Sequence, residues 1–312
     1  MQLQEIILPQ LLQESAAKYS DRPAIEYKQK YYSLTEIDNL SSILAKKFES
    51  MGISANDHIG LFGPNSVDWV ITYISLSKIG AVPVLINNNF TLRELKQAIK
   101  ISKLTKLFYG DTALTKIIED PEGKLLSRYP DLVGNTHEMA YDHADLMDNA
   151  TKNADGNIEF YCSSKATPYD TCCLIFTSGS TRSPKAAEVT HISLVNNSAD
   201  MANVMKSDTE DSICMSLPLF HIYGFCGCFL ACLISGTTIH MIENIKSTDI
   251  MACVEENKCT ILNGVPTSYL ALINNDEFAK YDMSSIRLGV LGGAAVTIPQ
   301  MKRIMETGNK IT

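Results

Sequence analysis

Long apolar runs are missing from this chain. The longest, residues 225–235, falls well short of the roughly 20 residues that cross a bilayer, so a buried helix is expected there instead. Clustered positive charge is missing too. The 27 Lys and Arg are scattered among 35 Asp and Glu, and the formal net charge is -8. An acidic surface repels nucleic-acid phosphates and anionic headgroups, so neither nucleic acid nor an integral membrane segment is expected. Paired Cys-x-x-Cys spacings are absent, although there are nine cysteines. Cys172 and Cys173 are adjacent, and Cys226, Cys228 and Cys232 share the apolar run. That arrangement fits neither a zinc site nor a disulfide framework and points to free, buried thiols in a reducing compartment. Residues 1–12 lack the basic start and apolar centre of a signal peptide, so cytoplasmic localisation is the expectation. Tryptophan occurs once, as Trp69, and it and the tyrosines read as core residues.

What remains is ordinary for a globular protein: 312 residues, 45% hydrophobic and 20% charged, enough for one large domain or two smaller ones. The chain alternates short apolar runs with amphipathic ones. Ile37, Leu40, Leu44 and Phe48 form a helical stripe after Ser33, with Glu36 three residues on and Gly52 suited to the end. A strand at 59–62 leads to a helix capped by Ser66 and closed by Gly80. A second strand at 81–86 precedes a Thr91/Glu94 capping box, and 107–109 is a third strand. Residues 24–32 suggest a small hairpin. Residues 111–170 are polar and weakly periodic, and read as a surface excursion. The rhythm then resumes, with strands expected at 172–176, 213–217, 238–242, 260–265 and 288–291, and helices between them. The fold class is α/β, with parallel sheets flanked by helices.

The most informative segment is Leu174-Ile175-Phe176-Thr177-Ser178-Gly179-Ser180-Thr181-Arg182-Ser183-Pro184-Lys185. A buried strand runs into small hydroxylated residues that let backbone N–H groups approach an anion, and Lys185 adds a compact positive charge. A Ser/Thr-rich surface turn is the plainer reading of the hydroxyls alone. The Pro-Lys ending after a strand favours phosphate. A Walker loop is excluded, because Pro184 stands where its second glycine belongs and Ala186 where its magnesium-binding hydroxyl belongs.

The segment resembles the signature loop of the adenylate-forming superfamily, which includes acyl-CoA synthetases, 4-coumarate-CoA ligase, luciferases and peptide-synthetase adenylation domains. Thr177, Ser178, Gly179, Ser180, Thr181, Pro184 and Lys185 match, while Arg182 and Ala186 replace glycines. Further motifs follow in the same order. Lys78-Ile79-Gly80-Ala81 and Thr190-His191 are similar to family segments. So are Pro218-Leu219-Phe220-His221-Ile222-Tyr223-Gly224, Gly264-Val265-Pro266-Thr267 and Gly292-Gly293-Ala294. The resemblance implies the large N-terminal domain of that fold, in layered α/β subdomains. It also implies a chain that stops before the adenine-stacking motif and before the C-terminal domain with the catalytic lysine.

The resemblance further implies ATP, Mg2+ and CoA as reactants or cofactors, and a small carboxylic acid, fatty or aryl, as substrate. Ser178, Ser180, Thr181 and Lys185 would hold the β- and γ-phosphates, with Thr177 and Gly179 shaping the loop. Gly292, Gly293 and Ala294 would line the nucleotide and acyl pockets. A tight turn explains the two glycines equally, and the readings are compatible. His221 would position the substrate carboxylate, although a lone His after an apolar strand is commonly structural. No metal-ligating residue is assigned. Two other readings stand beside the ligase. One is a nucleotide- or acyl-binding module without catalysis. The other is an amino-acid adenylation domain, which would place an Asp just after Phe220, where this chain has His221 and no acid before Glu243. The oligomeric state is open.

Overall fold

The computed structural model describes residues 3–20, 22–109, 133–135, 160–177 and 185–305. The chain forms two compact units. One comprises Met1–Ser20 and Leu34–Asn196, the other Asp21–Ser33 and Asn197–Thr312.

The first unit contains α1 (Leu8–Lys18), α2 (Leu34–Ser50), β3 (His58–Phe62), α3 (Val67–Lys78), β4 (Val82–Ile86), α4 (Leu92–Ser102) and β5 (Lys106–Tyr109). It continues with β6 (Val133–Asn135), β7 (Thr171–Thr177), β8 (Lys185–Thr190) and the start of α5 (His191–Met205). Its sheet has the order β6-β5-β3-β4-β7-β8. The first five strands run parallel, and β8 closes the edge antiparallel to β7. The caps expected at Ser66 and at Thr91 are present. The Ser66 side chain accepts from the Trp69 N–H, and Thr91 and Glu94 bond reciprocally. Gly52 and Gly80 adopt φ of 81° and 73°, left-handed values that glycine enters without a Cβ penalty. The α2 stripe of Ile37, Leu40, Leu44 and Phe48 is buried, with Phe48 stacked on Phe108 at 5.2 Å between centroids.

Three features depart from the sequence expectation here, the first being β8 itself, an antiparallel edge strand that no apolar alternation announces. Strand β6 lies within the polar stretch 111–170 and pairs with β5. Residues 160–164, in the same stretch, pack against helices of this unit. The N–H groups of Ser163 and Ser164 both donate to the Lys78 carbonyl, and Tyr161 N–H donates to Ser42 Oγ at 3.3 Å.

The second unit contains β1 (Pro23–Tyr27), β2 (Lys30–Ser33), the remainder of α5, and β9 (Ser212–Met215). A π-helix (Tyr223–Leu230) follows and runs directly into α6 (Ala231–Ser235). Then come β10 (Thr238–Met241), α7 (Ser247–Asn257), α8 (Pro266–Ile273) and α9 (Ile298–Met305). Strands β1 and β2 form the expected hairpin, but β1 also joins β10 in parallel, giving the order β2-β1-β10-β9. The segments expected as strands at 260–265 and 288–291 pair only through single bridges: Ile213 with Ile261, Ile261 with Leu288, and Gly264 with Leu291. Asp211, 6% exposed, anchors this end. It accepts from Arg287 Nε at 2.7 Å, Thr260 Oγ1 at 2.6 Å and Asp208 N–H at 3.2 Å. Burial pushes its carboxyl up, and these donors together outweigh it and hold the pKa below the ordinary carboxylate value.

The apolar run expected as a buried helix is buried and helical, but its first part is π rather than α. A π turn is rare and marks a local constraint. At Gly224 a Cβ would lie 2.2 Å from the Pro218 carbonyl oxygen, so only glycine allows the chain to turn back this closely.

Candidate active site

The expected site residues fall in both units. In the first unit, β7 carries Cys172, Cys173, Leu174 and Ile175 into the core. Phe176 then packs edge-on against Phe90, with centroids 5.9 Å apart. Thr177 ends the strand at the carboxyl edge of the parallel sheet, where ligands of open α/β sheets bind. It pairs in register with Lys185, the first residue of β8, and Thr177 Oγ1 donates to the Lys185 carbonyl at 3.5 Å. Both residues are exposed. The residues between them, including Ser178, Gly179, Ser180, Thr181 and Arg182, lie outside the described residues. Ala186 pairs with Phe176 within the ladder. Extended backbone there needs no glycine, so this departure from the family pattern is accommodated by the strand.

In the second unit, the chain leaves β9 and turns at Pro218, whose carbonyl accepts from the His221 N–H at 3.1 Å. The His221 carbonyl in turn accepts from the Phe225 N–H at 2.9 Å, so His221 starts the helical run. Its Nδ1 accepts from the Tyr223 N–H at 3.2 Å. That bond assigns the proton of the neutral ring to Nε2, leaving Nε2–H as a donor. Desolvation lowers the imidazole pKa below 6.5, which favours this neutral donor at pH 7.

Tyr223 was assigned to the core on sequence, but it is only half-buried and belongs with His221. Its hydroxyl donates to the Val290 carbonyl at 2.7 Å, and burial pushes the phenol well above its usual range, so it stays a donor. Its ring lies along the Gly292 backbone, where an added Cβ would sit 3.4 Å from Cε1. Gly293 has φ of 78°, so the tight-turn reading of this glycine pair holds on backbone grounds, and Ala294 is exposed just after it. His221, Tyr223, Gly292 and Gly293 thus form one cluster. The signal for Tyr223 was its position two residues after His221, inside the same short motif.

His191 has a structural place. It is 3% exposed, its N–H donates to the Asp170 carbonyl at 3.2 Å, and its Nδ1 accepts from the Leu8 N–H at 3.1 Å, tying α1 to α5. Burial lowers its pKa from 6.5 to about 4, against a smaller opposing pull from Asp170. Between those values the unfolded chain binds a proton that the folded chain refuses. Stability therefore falls as pH drops from 6.5 toward 4, by about 3 kcal/mol in full. Urea denaturation at neutral pH and near pH 4 reads this loss. In His191→Gln, which keeps an acceptor and cannot titrate, that part of the slope disappears.

None of the nine cysteines forms a disulfide, and eight are buried. Burial pushes Cys228 up to about 12, so it remains a thiol. Among the described residues no helix is long and apolar enough to cross a membrane.

A sequence profile described as AMP-binding enzyme matches residues 12–312. YngI of Bacillus subtilis (strain 168), whose name places it provisionally among the acyl-CoA synthetases, is 31% identical over 95% of this chain and 58% of its own length. The acyl-CoA ligase SID4 of Ajellomyces capsulatus is 30% identical over 98% of this chain and 54% of its own. This chain therefore spans little more than half the length of these relatives. Among solved structures, the anthranilate CoA ligase AuaEII in complex with anthranoyl-AMP superposes with a TM-score of 0.86 at 19% identity, over all of this chain and 60% of that one. That likeness shows the fold: the α/β layers with helix-flanked sheets are those of adenylate-forming enzymes. With the profile covering nearly its whole length, the chain belongs to the AMP-binding enzyme family.

Proposed function

We propose that this chain is part of an AMP-forming acid–thiol ligase that activates a fatty or aryl carboxylic acid. In the first step a carboxylate oxygen attacks the α-phosphorus of ATP, the bond to the β-phosphate bridging oxygen breaks, and pyrophosphate leaves. In the second the CoA thiol, losing its proton, attacks the acyl carbon and AMP departs. The supporting observation is the pairing of Thr177 with Lys185 at the carboxyl edge of β7. It sets Thr177 and Lys185, the residues that flank the hydroxyl-rich segment, side by side. In this reading Ser178, Ser180, Thr181 and Lys185 hold the β- and γ-phosphates, and Thr177 and Gly179 shape the turn. Positioning and charge neutralisation are what such groups contribute to phosphoryl chemistry.

His221, neutral with Nε2–H free to donate, would orient the substrate carboxylate rather than take a proton from it. The Gly292-Gly293-Ala294 backbone would line the nucleotide and acyl pockets beside it. Among the described residues no three His, Cys, Asp or Glu side chains converge on a metal-sized point. Mg2+ would enter with the triphosphate, where it would supply charge neutralisation. The free thiols suit a reducing compartment such as the cytoplasm. The domain reading that accompanies this function is a ligase core over residues 1–312, with 133–135 and 160–164 belonging to the first unit rather than to a surface excursion.

ATP–pyrophosphate exchange tests the proposal, with decanoate, benzoate and glycine as probe acids. The assay is run on this chain and on any longer product of the same reading frame. Exchange that depends on decanoate or benzoate is expected. Exchange with glycine alone would make the chain an amino-acid adenylation domain. ATP binding without exchange in either protein would make it a binding module.

A further inference from the structure

Asn263 is 1% exposed, between the buried Leu262 and the Gly264 turn. A buried amide costs free energy unless it is bonded, and an apolar side chain would fill the position without that cost. Asn263 is bonded on every side. Its Oδ1 accepts from the Val290 N–H at 3.0 Å, and its Nδ2 donates to Met205 Sδ at 3.2 Å and Cys228 Sγ at 3.3 Å. Its own carbonyl accepts from Ser216 Oγ at 2.6 Å. The Val290 N–H fixes the amide orientation, since the opposite flip would set donor against donor.

These bonds reach four segments: the end of α5, the turn after β9, the π-helix, and the bridge segment that leads into Gly292. Val290 is the node. Its carbonyl accepts from both Gly264 N–H at 3.1 Å and Tyr223 Oη at 2.7 Å, and Gly292 N–H donates to the Gly264 carbonyl at 3.2 Å. Tyr223 N–H, in turn, is what holds His221 Nδ1. We propose that Asn263 is a positioning residue that locks the π-helix to the bridge segment, and so holds His221 and Tyr223 in register with the Gly292–Gly293 turn. It touches neither substrate nor reacting atoms; it acts through Val290 and Cys228. Its catalytic consequence rests on the acid-activation reading above.

The first readout needs no activity. The His221 imidazole resonance, identified by its loss in His221→Gln, is titrated by NMR in the wild-type chain, in Asn263→Leu and in Met251→Ala. The last is a control that destabilises the same unit from α7. In Asn263→Leu the His221 titration is expected to move up toward the solvent value as the ring is released, while Met251→Ala leaves it in place. If Asn263→Leu loses stability and His221 titrates as in wild type, Asn263 is only a core residue and the proposal is overturned. Should Asn263→Leu not fold, Tyr223→Phe removes only the hydroxyl bond to Val290 and is read in the same way.

The second readout is exchange kinetics in whichever protein form is active. The KM for decanoate is expected to rise about fivefold in Asn263→Leu, with kcat within about twofold. Combination with Tyr223→Phe should add little, because both act on Val290. Full additivity of the two would overturn the lock. Absence of exchange in wild type would instead count against the ligase reading and leave the NMR result to decide this one.

Discussion

Replacing Lys78 by alanine should cost about 4 kcal/mol of folding free energy, a large share of the total for an ordinary domain. Lys78 lies at the end of α3 with its side chain fully buried, yet it carries an ammonium. That charge is tolerated because all three of its protons are placed. Nζ donates to Asp38 Oδ1 at 2.6 Å, to the Asp38 carbonyl at 2.8 Å and to Ser42 Oγ at 2.7 Å, and it sits 5.0 Å from the Phe160 ring centroid. Burial lowers the ammonium's pKa and the Asp38 carboxylate opposes that shift. The Lys78 carbonyl meanwhile receives the N–H groups of Ser163 and Ser164. One residue thus ties α2, α3 and the segment entering β7 together. Truncation leaves Asp38 unpaired and opens a cavity beside Phe160. Denaturant titration measures the loss, and a cost below about 1 kcal/mol would mean that the ammonium escapes to water instead. The double variant Asp38→Leu/Lys78→Met should recover much of the loss, since removing both members of a buried pair is often nearly neutral.

Lys78 also shows what the sequence made legible and what it did not. It stood within a recognisable motif, Lys78-Ile79-Gly80-Ala81, but nothing local revealed that its partners lie about 40 residues upstream on α2. The features read correctly were those whose cause is local. Caps at Ser66 and Thr91, left-handed glycines at Gly52 and Gly80, and the apolar stripe of α2 depend only on near neighbours in the chain. The missed features are set by distant ones. Strand β8, Lys-Ala-Ala-Glu-Val-Thr, is largely exposed and has no apolar alternation, so only pairing with β7 makes it a strand. Residues 223–230 are apolar all round, which hides any helical period, and the close packing of Gly224 on Pro218 is a contact that periodicity does not report. Strand β1 joins β10 across more than 200 residues of sequence, a pairing with no local signature. The candidate site divides along the same line. Thr177, Lys185, His221, Tyr223 and the glycine pair all stand within short motifs, whereas the link from Tyr223 to Val290 and the place of Asn263 emerge only from tertiary hydrogen bonds.

On the ligase reading proposed above, Lys185→Ala should lower acid-dependent ATP–pyrophosphate exchange of the active form by about a hundredfold or more while leaving folding stability within about 0.5 kcal/mol. The two expectations have separate physical grounds. Stability is spared because Lys185 is exposed at the first position of an edge strand, where its backbone pairing with Thr177 needs no particular side chain. Activity suffers because the chain carries a net charge of -8, so a triphosphate meets a repulsive average field and must be drawn in by cations placed where it binds. Lysine supplies such a charge as a compact head on a flexible stem. Arginine at 185 should therefore restore part of the rate and not all of it. Arg182, where the family has glycine, is the competing cation. If Lys185→Ala stays within about threefold of wild type and only the double variant Arg182→Ala/Lys185→Ala loses exchange, the phosphate charge has moved to Arg182 and the role assigned to Lys185 is wrong. If the single variant is already inactive and Arg182→Gly is not, the lysine carries the phosphates and the arginine is a tolerated replacement.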